Sequence, residues 1–145
     1  MVIHGTFITP DLCIRLVPVV KNLGFRLDAE LSFQKQISAL KQSCMLRLRS
    51  ISRMKYFLSQ KQIQILVQSL VISSLDYCNA LYIGISSHLL DQLQKIQNRA
   101  CRVIVGIKRR ESISEHLYNL HWLKVKERMD FKVLLFVFVW FTFCL

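Results

Sequence analysis

Turn-forming residues are scarce in this chain. Its 145 residues include four glycines and two prolines, which excludes collagen-like and linker-like classes. Acidic residues are also few: nine Asp and Glu stand against twenty Lys and Arg, a formal net charge of +11. An excess of that size favours a polyanionic partner, nucleic acid or an acidic membrane surface. Cys13, Cys44, Cys78, Cys101 and Cys144 are odd in number and widely spaced, with no C-x-x-C pair, so neither a disulfide framework nor a zinc site is expected. They read as reduced thiols of an intracellular protein, cytoplasmic or nuclear. The start, M-V-I-H-G-T-F-I-T-P, lacks a basic n-region and a long apolar stretch, so no secretory signal is expected. What is plentiful is apolar residue, 52% of the chain, enough to form the core of one domain of this length.

The hydrophobic pattern changes once along the chain. Residues 2–8 and 17–27 are short runs rich in β-branched residues, separated by Thr9-Pro10-Asp11. They are expected to form one small β-hairpin, with Pro18 off any central strand and Gly24 at a bulge or close backbone approach. From Ser32 the period is helical: Phe33, Ile37, Leu40, Cys44, Leu48 and Ile51 step by three or four, which is one face of a helix. Cys44 on that stripe should act as a small hydrophobe.

Ser59 followed by Gln62 is a capping-box pattern opening a second helix. Ile63, Leu66, Val67, Leu70 and Val71 mark its inward face, and Ile65 and Ile72 make it apolar almost all round. That helix should run to about Leu81, before Gly84. A third helix follows Ser86 or Ser87, with Leu89, Leu93, Ile96, Ala100, Val103 and Ile107 inward. Ser112 and Glu115 form a second capping-box pattern for a short helix to about Leu120, and a last helix should begin near Lys124. The expected class is mainly α: a short N-terminal β-hairpin over 1–31, a bundle of four or five helices over 32–132, and an apolar tail over 133–145.

Charge is distributed as unevenly as hydropathy. No acid lies between Glu30 and Asp76, a span holding seven Lys and Arg, and none between Asp91 and Glu111, which holds six. Lys35, Arg49 and Arg53 fall opposite the apolar stripe of the first helix; Lys95, Arg99 and Arg102 line the other side of the third, followed by Lys108, Arg109 and Arg110. Solvated helix faces are the plain reading of any one such run. Two on neighbouring helices point towards a phosphate-binding surface.

Four segments carry a more specific likeness: V-K-N-L-G-F-R-L-D-A-E-L-S-F-Q-K-Q-I (20–37), L-D-Y-C-N-A-L-Y-I-G (75–84), L-Q-K-I-Q-N-R-A-C-R-V-I (93–104) and L-H-W-L-K-V-K-E-R-M-D-F-K (120–132). In this order they resemble the C-terminal part of the reverse transcriptase of LINE-type, jockey-like non-LTR retrotransposons, over nearly the whole chain from about residue 2 to about residue 136. L-D-Y-C-N with L-H-W-L is specific, whereas L-G-F alone is weak. The resemblance implies that Leu23, Gly24 and Phe25 occupy a primer grip, for which hairpin core is the competing reading of Leu23 and Phe25. It also implies that the basic helices 32–58 and 87–107 are a thumb lying along template–primer duplex, RNA or DNA, and that palm and fingers would precede residue 1. Two departures stand out. Many relatives have Pro where Lys124 stands, so a less sharply defined start of the last helix is expected here. Relatives also return to an amphipathic pattern where this chain reads V-L-L-F-V-F-V-W-F-T-F-C-L, which suggests truncation or a shifted frame.

Catalytic chemistry is not expected. Polymerases hold two metal ions on clustered carboxylates, yet Asp11, Asp28, Asp76, Asp91 and Asp130 include no adjacent pair. Asp76 reads as a structural hydrogen-bonding carboxylate. His116 and His121 lack the E-x-x-H context of a zinc helix; His121 reads as packed or capping, Trp122 as core rather than a base-stacking platform, and Cys78 has no base nearby in sequence. No phosphate-cradling glycine motif occurs, and neither metal nor cofactor is expected. The function expected is thus a non-catalytic fragment with latent, salt-sensitive and largely sequence-independent nucleic-acid binding. Two alternatives stand beside it: a relic translation product without selected activity, and a basic membrane-associated protein held by 133–145. Those thirteen apolar residues would rise about 20 Å as a helix, short of the ~30 Å hydrocarbon core, so adsorption to a membrane is expected before spanning.

Overall fold

A computed structural model describes the backbone of residues 2–3, 6–9, 12–15, 19–108 and 110–143, and side chains from Val19 onward within those ranges. The chain is mainly helical, with strands confined to its start. Among the described residues a short N-terminal hairpin precedes five helices, as expected, but runs 2–8 and 17–27 do not pair with one another: each folds in a sheet of its own. β1 (Val2–Ile3), β2 (Thr6–Thr9) and β3 (Leu12–Arg15) form an antiparallel sheet in which Phe7 pairs with Ile14. β4 (Val19–Asn22) and β5 (Phe25–Asp28) form a separate antiparallel hairpin, Asn22 opposite Phe25.

The reason for the difference lies at Leu23-Gly24. Both residues have positive φ, 47° and 84°, as in a primed two-residue turn whose twist matches that of the flanking strands. The run 17–27 therefore folds back on itself. A Cβ built on Gly24 would meet nothing within 4 Å, so the glycine serves the turn rather than the expected bulge or close approach.

Helix α1 (Gln34–Met54) buries Ile37, Cys44, Leu48 and Ile51, the expected stripe. It ends in a 3₁₀ turn, Lys55–Phe57. α2 follows from the capping box, which is formed as expected: Ser59 N–H donates to Gln62 Oε1 at 2.8 Å, and Gln62 N–H donates to Ser59 Oγ at 3.4 Å. It is α-helical over Gln60–Val67, π-helical over Gln68–Ile72 and α-helical again over Ser73–Asp76. Ser69 and Ser74 hydroxyls bond back to Ile65 and Leu70 carbonyls four residues earlier (2.9 and 3.1 Å), while the Arg47 guanidinium reaches over from α1 to the Leu70 carbonyl and to Ser74 Oγ. These side chains take up carbonyls in the widened turn.

α2 stops at Asp76, not near Leu81. Tyr77 is extended and Cys78 has φ 55°, and tertiary bonds hold the chain where the helix ends: Arg128 grips Asp76, the last helical residue, and the Tyr77 hydroxyl reaches the hairpin. Ile65 is exposed and so is Leu70, expected inward, whereas Ile72 is buried, because the π turn Gln68–Ile72 shifts the phase of the stripe. α2 thus presents one buried face rather than occupying the centre.

A second 3₁₀ turn, Asn79–Tyr82, leads to α3 (Ser87–Val105), which Gly106 closes with φ 80° and a 2.9 Å bond from its N–H to the Arg102 carbonyl. α4 (Ser114–Asn119) has Ile113 at its N-cap and no side-chain cap. The expected Ser112–Glu115 box is not formed; it is Glu111 that folds back, accepting from Lys108 N–H at 2.9 Å.

The start of α5 (Val125–Phe143) is sharply fixed, contrary to expectation. Lys124 N–H donates to Glu127 Oε2 (3.0 Å) and Val125 N–H to Gln94 Oε1 (2.9 Å), while Gln97 Nε2 donates to the Leu123 carbonyl (2.7 Å). Gln97 is fully buried on the inner face of α3, and Gln94 Nε2 satisfies its Oε1 at 2.8 Å. A buried amide with both ends paired specifies where the last helix docks.

α1 and α3 run side by side in the same sense. Lys41 Nζ bonds Gln92 Oε1 (3.3 Å) near their beginnings, and Ser52 and Lys55 share a cleft with Arg102 and Gly106 near their ends. α2 is the return leg between them. Trp122 is buried, as expected; His121 is exposed rather than packed and takes the capping role, closing α4 with φ 54° as its N–H donates to the Tyr118 carbonyl (2.9 Å) and Trp122 N–H to the Leu117 carbonyl (2.8 Å). Only the first turns of α5 reach the core, through Val125 and Met129, and from Leu134 onward its apolar side chains are exposed on all sides. Among the described residues no helix is long and apolar enough to cross a membrane. Covering one such Leu or Phe gains ~1.5–3 kcal/mol. Deleting 133–145 should therefore abolish concentration-dependent self-association in sedimentation velocity while the helical circular dichroism of the remaining chain persists. Loss of that signal would mean the tail supports the core.

Candidate nucleic-acid interface

Two neighbourhoods hold part of the set of residues singled out by sequence. The first is the β4–β5 hairpin. Leu23 is 85% exposed at the tip, which rules out the hairpin-core reading for it, whereas Phe25 is 3% exposed. Phe25 packs in an aromatic cluster with Phe33 and Tyr82, ring centroids 5.6–5.8 Å apart. Burial pushes the Tyr82 phenol up to about 12. The Tyr77 hydroxyl donates to the Leu23 carbonyl at 2.6 Å and holds the tip, and Arg26 N–H donates to Gln36 Oε1 at 3.1 Å, tying β5 to α1.

Asp28 fastens the hairpin to α1. Its carboxylate accepts from Ser32 N–H (2.7 Å), Ser32 Oγ (3.2 Å) and Phe33 N–H (2.9 Å). The segment it gathers includes Leu31 and Phe33, non-glycine residues with φ 51° and 58°, a conformation L-residues seldom take unaided. The Ser32 backbone bond leads the influences that hold the Asp28 carboxyl below its ordinary value.

The second neighbourhood lies where α1 and α3 end. Lys95, Arg99 and Arg102 of α3 converge with Lys55, at the end of α1, around a cleft of about 540 Å³, with Ser52 and Asn98 as polar lining. No carboxylate is among its described lining residues. Arg102 is half-buried and Lys55, Lys95 and Arg99 are exposed.

The other expected residues are not gathered there. Lys35 lines a separate groove with Arg26 at the opposite end of α1, fourteen residues before Arg49 and so about 21 Å away along the axis. Arg49 and Arg53 are exposed on α1 outside the cleft lining. Lys108 and Arg110 are exposed just beyond Gly106, with Glu111 beside Lys108, and Arg109 lies outside the described residues.

Cations at helix C-termini have a plain structural use, since each terminus carries about half a negative charge. The ends of α1 and α3 together would be neutralised by about one cation, and the start of α2 at the same end offsets part of even that. Lys55, Lys95 and Arg99, the exposed cations of the cleft lining, exceed that on their own. The excess leaves a positive field facing solvent, suited to a phosphate backbone.

A different cluster links α2 to α5. Arg128 Nε donates to Asp76 Oδ1 at 2.9 Å and its Nη2 to Asp76 Oδ2, and Asn79 Nδ2 lies 3.5 Å from Oδ1. Asp76 is the hydrogen-bonding carboxylate read from sequence. Among the described residues no group of three or more His, Cys, Asp or Glu could hold a metal ion. Cys44 and Cys101 are buried and unpaired with one another, their thiols pushed up by burial.

Lys55, Ser52 and Asn98 were not singled out by sequence, although Lys55 extends the acid-free basic run on the first helix. Comparisons with family models, with characterised proteins and with solved structures find no match for this chain.

The Asp28 knot gives a pH-dependent expectation. A depressed carboxyl contributes stability that is complete above its ordinary value of 3.8 and is lost as pH falls from there through the folded value. The gap in Tm between the wild-type chain and Asp28→Ala should be widest near neutral pH and narrow below pH 3.8. A gap independent of pH in thermal melts would show that the charge on Asp28 does not hold the turn.

Proposed function

We propose that this chain is a non-catalytic, primer-grip-and-thumb-like piece of a non-LTR retrotransposon reverse transcriptase that retains sequence-independent affinity for nucleic acid. The family part of this reading rests on the four sequence segments. The binding part is supported by one observation above all, the cleft in which Lys55, Lys95, Arg99 and Arg102 meet without a carboxylate among the described lining residues. The mechanism is electrostatic: each phosphate seated on a lysine or arginine releases condensed counterions, and the gain in their entropy drives association. Such a surface grips backbone without reading base edges.

The hairpin suits the same reading in a secondary way. Leu23 projects at a tip fixed by Tyr77, while Phe25 anchors the same turn in the core, so one strand of the hairpin could touch a primer end without the domain losing its packing. The partner best matched to these features is a duplex of template and primer, RNA or DNA, bound weakly and with strong dependence on salt. In a complete polymerase the palm and fingers would complete the site and supply the metal-binding carboxylates.

Two measurements test this. Binding to a mixed-sequence DNA duplex should weaken steeply with salt, and Lys55→Gln/Lys95→Gln/Arg99→Gln should flatten the log–log slope by about 0.9 for each contact removed, hence about 2.7 in all. Arg49→Gln/Arg53→Gln, outside the cleft, should change it less; equal slopes in the cleft variant and the wild type would make these faces merely solvated. The chain incubated with primed template, nucleotides and Mg²⁺ or Mn²⁺ should extend no primer, and extension above a heat-killed control would overturn the non-catalytic assignment.

A further inference from the structure

The turn joining α1 to α2 exposes two large aromatic side chains beside the basic cleft. Tyr56 is 86% exposed and Phe57 88%, although Leu58, next along, packs against the core. The turn is anchored on both sides: Ile51 is buried one helical turn before it, and the Ser59–Gln62 capping box follows directly. Leu58 N–H closes it onto the Lys55 carbonyl at 3.4 Å. Two aromatic rings held outward on an anchored turn lose little further freedom when a ligand covers them.

Lys55 joins this pair to the cleft. Its ammonium lies over the Tyr56 ring, 5.7 Å from the centroid, and the same residue lines the cleft with Lys95, Arg99 and Arg102. A strand whose phosphates run along those cations would carry its bases past Tyr56 and Phe57. An apolar protein surface would instead have to meet the cluster of cations.

We infer that Tyr56 and Phe57 form a base-stacking platform for unpaired nucleotides whose backbone occupies the cleft, making single-stranded nucleic acid a ligand of this end of the molecule. The inference rests on the electrostatic reading of the cleft and adds the π-faces, which bind every base and so keep the interaction sequence-tolerant.

The test compares an oligo(dA) strand with an abasic strand of equal length and charge, both titrated into the full-length chain. The wild-type chain should bind the base-carrying strand about 5- to 150-fold more tightly for each stacked base. Tyr56→Leu/Phe57→Leu, which keeps apolar bulk but removes the rings, should bring that ratio close to one while leaving the salt slope unchanged; circular dichroism checks its fold. A ratio near one in the wild type, or a ratio the double variant preserves, overturns the platform while leaving the electrostatic cleft standing. Absence of salt-dependent binding to either strand overturns both together.

Discussion

The same-sense packing of α1 on α3 is the constraint from which the rest follows. Two neighbouring helices in one direction need a return segment between them, and α2 is that segment. The capping box at Ser59 starts the return immediately after α1, and the breaks at Tyr77 and Cys78 end it in time for a reversal into α3. The same arrangement brings two helix C-termini to one end of the molecule. Cations at that end then have a structural use, and the exposed ones of the cleft lining, Lys55, Lys95 and Arg99, exceed what the termini require.

The docking of α5 is organised by polar groups inside the core rather than by apolar bulk. Gln97 is fully buried yet has both ends of its amide paired, and with Gln94 it fixes the residues that open α5. Arg128, one turn into α5, returns the contact to α2 through Asp76. α5 is thus docked by a few hydrogen bonds near its start, and beyond them its apolar residues have nothing to cover them. A firmly docked start and an uncovered remainder explain why helical structure extends further than packing does.

Much of this was legible in sequence where one pattern sufficed. The stripe from Ile37 to Ile51, the Ser59–Gln62 box and the inward face of α3 from Leu89 to Ala100 follow from periodicity and local capping, which need no knowledge of partners. Beyond Ala100 the helix buries Cys101 and Ile104, while Val103 and Ile107, expected inward, line the basic cleft, Ile107 past the helix end at Val105. What escaped depended on tertiary bonds. Leu rarely adopts positive φ, so Leu23-Gly24 did not read as a primed turn; Tyr77 supplies the bond that holds it. α2 carries a helical pattern past Asp76 but ends there, where bonds from Arg128 and to the hairpin hold the chain. Gln97 has a surface residue's chemistry and a core residue's position.

The basic residues divide for a similar reason. Periodicity placed Lys35, Arg49 and Arg53 on one face of α1, but a shared face does not mean a shared site when the residues are turns apart. Lys95, Arg99 and Arg102 are close in sequence and do form a cluster, while its fourth member, Lys55, comes from another helix and depends on the sense in which the two pack. Lysine acetylation footprinting of the full-length chain, with and without a DNA duplex at low salt, tests the central claim most directly. The cleft account predicts protection of Lys55 and Lys95 while Lys35, at the far end of α1, stays reactive. Protection centred on Lys35, or loss of reactivity spread evenly over all lysines, would contradict it.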